Sequence, residues 1–181
     1  MLTVQSLAGW ESAVLASVRG ARGTLDERDR QIERSGMYGE YPTILNGYLE
    51  TLQLEGAREA DRAEALKRAV FIAWYAGVAP RCLTGIGDLS DASVTETFGR
   101  LDAAVRRDEV DDELRAMVAH YHDACAAPFE IYGAADAAER AGPASDVEAL
   151  LARPASWFAQ RAQMGEYWAA MVERAKAGRS V

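Results

Sequence analysis

The residues best suited to chemistry are His120-Tyr121-His122, which hold the only two histidines of the 181-residue chain, with Asp123 and Cys125 close behind. Imidazole, carboxylate and thiol groups at such spacing could bind a metal or move a proton. On a helix, however, neighbours two apart point about 200° away from each other, so His120 and His122 cannot chelate one ion together. The pairs at helical spacing are His120 with Asp123 and His122 with Cys125, and each supplies about two of the three or four ligands that zinc requires. No Glu-x-x-His spacing exists to add the rest. The expectation is therefore no metal and no cofactor, with a metal-dependent enzyme using His120/His122 kept as a remote alternative.

Two further stretches imitate known chemistry. Thr84-Gly85-Ile86-Gly87-Asp88 has the glycines of a phosphate cradle but lacks the Lys and Ser/Thr of a P-loop and the preceding strand of a dinucleotide fingerprint. It reads as a tight connection that Arg81 and Asp88 can span with an ion pair. Cys82 and Cys125 show neither CxxC spacing nor an oriented base, and no G-x-S-x-G elbow occurs. The chain reads as non-enzymatic.

Binding is then the function to look for, and aromatic residues suggest two places. Met37-Tyr38-Gly39-Glu40-Tyr41 is loop-like yet rich in tyrosine, a side chain that interfaces favour; Met37, Tyr38 and Tyr41, with Trp157 and Tyr167 of the last helix, form the expected interaction surface. A protein partner, or self-association as a homodimer, would cover it. The alternative is a helical bundle that holds a small apolar or aromatic ligand in an interior pocket lined by Trp74, Tyr75, Tyr121 and Trp168, with Arg81, Asp88 and His122 supplying polarity.

The elements that must position these groups are helical. Residues 57–78 begin with a charged face, AREADRAEALKRA, and become apolar on every side from Val70 to Val78, so this segment reads as a central helix surrounded by others, ended by Pro80. Leu7, Trp10, Val14 and Val18 mark a helix over 5–20. Thr24 and Glu27 form a capping box before a short surface helix. Residues 43–55 carry an apolar stripe and should form a helical hairpin with the central helix. Ser93-x-x-Glu96 suggests a second capping box, followed by a stripe through Val105. The next helix starts at the acidic run 108–113, and Pro128 ends or kinks it.

Residues 134–142 lack large apolar side chains and suggest a frayed surface helix closed by Pro143; a brief helix near 145–151 and a long last helix opened by Pro154 follow, with a loose tail from Lys176. No segment alternates with period two, so the chain is expected to be all-α: a single domain of about seven helices arranged as antiparallel hairpins, with a possible flexible joint at 133–145.

Composition limits the partners. The net charge is −8, with ten basic and twelve acidic residues in the first 90 positions and ten and sixteen in the rest. Such a balance disfavours nucleic acid and anionic membranes as partners. The N-terminal stretch has no basic run before its apolar residues and Glu11 interrupts it, so neither a signal peptide nor a spanning helix is expected, and a soluble, cytoplasmic protein is the default.

Overall fold

The central helix is buried on every residue from Ala65 to Trp74, which requires protein on all sides of it. The computed structural model describes residues 2–141 and 145–178. Among these residues there are eleven α-helices, two 3-10 turns and no strand. In chain order the helices are α1 (Val4–Gly20), α2 (Leu25–Arg34), α3 (Glu40–Gln53), α4 (Glu59–Val78), α5 (Arg81–Thr84), α6 (Asp91–Arg106), α7 (Asp112–Ala124), α8 (Ala127–Ile131), α9 (Ala135–Ala141), α10 (Ser145–Leu151) and α11 (Ala162–Gly178). The 3-10 turns span Met37–Gly39 and Ala155–Phe158. α4 packs against α1, α3, α6, α8 and α11, so one core joins the first helix to the last.

Local chemistry explains most boundaries. Thr24 accepts from the Glu27 N–H while the Glu27 carboxylate accepts from the Thr24 N–H, the reciprocal box read in the sequence. Thr3 and Ser6 make a second such box at the start of α1. α6 is capped by Ser90, not Ser93, because the Ser90 hydroxyl accepts from the Ser93 N–H while the Ser93 hydroxyl reaches across to Asn46. Asp111 caps α7 by accepting from the Leu114 N–H.

Three expectations are corrected. α3 begins at Glu40, so Tyr41 and Pro42 belong to its first turn, where a proline without an N–H costs nothing. The last helix is broken: Pro154 opens a 3-10 turn instead, and the chain passes through Gln160 at φ 69° before α11 begins at Ala162, itself at φ 47°. Trp157 and Phe158 therefore precede that helix. α9 is not a surface helix, since Ala134, Ala137, Ala138 and Ala141 are buried; their small side chains let it lie closely against α6 and α7. Residues 142–144, toward the end of the expected joint at 133–145 and including Pro143, and residues 179–181 of the tail lie outside the described residues.

Candidate functional site

Burial removes part of the expected interaction surface. Tyr38 and Tyr41 are 2% and 0% exposed, so neither ring is available to a partner. The Tyr38 hydroxyl donates to Asp29 at 2.6 Å and its ring lies 4.4 Å beneath the Arg81 guanidinium. A side chain at Gly87 would meet that ring at 2.7 Å, so the glycine is what admits it. The Tyr41 hydroxyl donates to Gln163 at 2.7 Å. The two tyrosines look loop-like in sequence, but Tyr38 lies in the 3-10 turn and Tyr41 in the first turn of α3, both packed into the same core as Ile44 and Leu45. Met37 is half-buried against the same core. Trp157 alone of the five is substantially open; it stacks on Arg153 at 4.1 Å, and its indole N–H donates to Glu113 at 3.1 Å. Tyr167 is half-buried, with its hydroxyl 2.7 Å from His120 Nε2.

The interior volume sought among Trp74, Tyr121 and Trp168 is filled by their own rings. Trp74 stacks on Tyr121 at 4.4 Å, the Trp168 indole donates to the Tyr121 hydroxyl at 2.8 Å, and Phe158 lies parallel to Trp168. The Trp74 indole is satisfied by the Cys125 carbonyl at 3.2 Å. Burial disfavours the charged form of His120, and nearby Asp123 offsets this only in part, so its pKa lies below the usual histidine range. His122 points elsewhere, edge-on to Phe129. Among the described residues no group of three or more His, Cys, Asp or Glu side chains is placed to hold a metal ion.

The charged face of α4 holds a network that the sequence pattern concealed. Glu11 on α1 is wholly buried; its Oε1 accepts from Tyr48 at 2.5 Å and from Arg68 at 3.1 Å, while its Oε2 has no partner. Burial raises the Glu11 pKa against the opposing pull of Arg68 and Tyr48. Arg68 also donates to Glu64 at 2.9 Å and to the Gln160 carbonyl at 3.2 Å. Arg161 bridges Glu64 and Glu113, and Lys67, itself buried, joins Glu113 at 2.6 Å to Asp111 at 2.5 Å. Burial pushes the Glu113 carboxyl up, but bonds from Arg161 and Lys67 outweigh it and hold the group at about 2. This network clamps the segment 157–161 onto α4. In it four carboxyl groups, Glu11, Glu64, Asp111 and Glu113, face three cations, Lys67, Arg68 and Arg161.

A signal for it did exist. Glu11 follows Leu7 by four residues and precedes Val14 by three, which places a carboxylate on the buried stripe of α1. The structure thus brings together Glu11, Tyr48, Glu64, Lys67, Arg68, Glu113 and Arg161. Buried at Glu11, Lys67 and Arg68 and open to solvent at Asp111, this network ties α1, α3, α4, α7 and the 157–161 segment together.

The open surfaces lie at the other end of α4. One cleft, of about 310 Å³, is walled by Tyr75, Tyr167 and Met171, with Arg19, Glu166 and Arg174 also on its lining. A second, of about 380 Å³, is floored by small residues, Ala73, Ala76, Gly77 and Gly87, and edged by Ile131 and Tyr132. Arg81 and Asp88 line the second cleft, 3.8 Å apart, while Arg81 is held more firmly by two bonds to Asp29 at 2.9 Å. Tyr75 therefore lines a different cleft from Arg81 and Asp88. Leu83 stands exposed on the first cleft, Ile131 on the second, and Val78 at the end of α4.

No helix among the described residues is long and apolar enough to cross a membrane. No family model, curated protein or solved structure matches this chain.

Proposed function

We propose that this chain is a non-enzymatic assembly domain that pairs with a second copy of itself through the apolar end around the C-terminus of α4. The observation that carries the reading is Ile131, 73% exposed at the edge of a groove floored by alanine and glycine, with exposed Val78 ending α4 and exposed Leu83 following in α5. Exposing large aliphatic side chains forfeits roughly 1.5–3 kcal/mol each of burial free energy, which association recovers. A twofold interface must be self-complementary, with protrusion and recess on the same patch. Here Ile131 supplies a protrusion and the small-residue groove a recess, while Arg81 and Asp88 put opposite charges on the groove's lining. An ordinary interface would cover about 800 Å² per copy, a modest share of the 9358 Å² exposed by the monomer.

Sedimentation equilibrium tests this. The natural chain is expected to dimerise, and Ile131→Glu and Leu83→Glu to sediment as monomers with unchanged helical circular dichroism. A natural chain that stays monomeric at about 100 μM, where even weak specific pairs associate, refutes the reading. So does a dimer indifferent to both substitutions.

A further inference from the structure

We propose that the cleft between α1, α5 and α11 is a binding site for a small aromatic carboxylate. The first observation is electrostatic. The charged groups on the cleft are Arg19, Glu166 and Arg174. Arg19 and Glu166 face each other with both guanidinium nitrogens on both carboxylate oxygens, one bond at 3.0 Å. Arg174 has no ion pair among the described residues. The cleft thus carries a formal charge of +1 on a chain whose net charge is −8. A single uncompensated guanidinium suits a monoanion, and its planar fork fits a carboxylate with two parallel bonds.

The second observation is shape. Tyr75 is stacked on Phe71 at 4.9 Å, and Tyr167 meets Tyr75 edge-on, at 65° and 5.6 Å between centroids. These rings form a fixed corner, because Trp74 backs both of them and His120 holds the Tyr167 hydroxyl. A flat ring can lie against one wall and present its edge to the other, the two arrangements aromatic pairs favour. Leu15 and Met171 complete an apolar lining. At about 310 Å³ the space is at the small end of ligand sites, which admits a one-ring acid and excludes a nucleotide. Gln163 sits on the same lining; Tyr41 occupies its carbonyl, which leaves its amide N–H groups to donate to an anion.

Calorimetric titration of the full chain with three probes separates the contributions: benzoate, with ring and charge; benzamide, the same shape without charge; and acetate, the charge without a ring. Benzoate should bind at least about tenfold more tightly than either other probe, the scale of one charge-assisted hydrogen bond. Arg174→Gln should weaken benzoate by about tenfold or more and leave benzamide unchanged, while Arg153→Gln, away from the cleft, changes neither. Arg174 is exposed, so the variant should keep its helical content. Equal binding of benzoate and benzamide, or benzoate binding that survives Arg174→Gln, overturns the assignment. So does the absence of benzoate binding at about 10 mM, the weak limit for a ligand of this size. Ile131 lies on the other cleft, so Ile131→Glu should bind benzoate like the natural chain.

Discussion

Glu113→Gln tests the reading of the buried network most directly, because glutamine keeps the shape and one acceptor oxygen while removing the charge that Arg161 and Lys67 contact. In the folded chain this carboxyl titrates at about 2, against 4.5 as its ordinary value. A folded pKa below the unfolded one means that the stabilisation is present above pH 4.5 and is lost as the pH falls toward 2. At about 1.36 kcal/mol per pH unit the difference is worth about 3 kcal/mol. Asp111, 47% exposed, lets solvent reach the network, and screening reduces the figure to about 2 kcal/mol. Urea unfolding at pH 7, 5, 4 and 3 should therefore show a gap of about 2 kcal/mol at pH 7 that narrows steadily below pH 4.5. Trp157 should report the same change, since its indole N–H donates to Glu113. Glu11 acts in the opposite sense: burial raises its pKa, so its contribution is fullest below 4.5 and declines as pH rises through its folded value. A gap under about 0.5 kcal/mol at pH 7, no more than an exposed ion pair is worth, or one that does not depend on pH, would refute the argument.

Arg68→Ala should cost about 3–5 kcal/mol, since it removes the one cation on buried Glu11, leaves Glu64 with Arg161 alone and frees the Gln160 carbonyl, whereas Glu11→Gln should cost only about 1–2; matched urea midpoints compare them. Gly165→Ala should destabilise by about 2–3 kcal/mol, because its new methyl group would overlap the Phe158 carbonyl oxygen, and thermal unfolding measures this. Tyr38→Ala and Tyr41→Ala should each lower stability by about 3–5 kcal/mol, the cost of emptying a core aromatic position; circular dichroism melts would reveal it.

Helical periodicity reports which residues share a face, and that sufficed for the all-α fold, for the central helix to within two residues of its start, and for the Thr24 box. It does not report what lies opposite that face. Lys67 and Arg68 look like ordinary solvated charges in AREADRAEALKRA, and only the arrival of Glu11, Glu113 and Arg161 from distant segments makes their burial tolerable. The tyrosines at 38 and 41 misled for a related reason: glycine and proline around them suggested a loop, yet Gly87, some fifty positions on, leaves the space that Tyr38 fills. Tyr75, read into an interior pocket, and Tyr167, read onto a protein-facing surface, line one and the same cleft. Arg19 and Arg174 stood unremarked because nothing local sets them apart from any other surface arginine.

The clamp at 157–161 also bears on how the chain reaches its fold. α3 and α4 can pair across a five-residue connection, and such local contacts form quickly. The bonds that fasten the later segment span far more chain: Arg68 to Gln160 is 92 residues, Tyr41 to Gln163 is 122 and Arg19 to Glu166 is 147. Until that segment docks, Glu64 lacks Arg161 and the rings of Trp168 and Phe158 remain in water. Helical proteins usually fold fast because their contacts are local. The entropy of closing these long loops falls on docking of 155–178, a cost that the α3–α4 hairpin does not share.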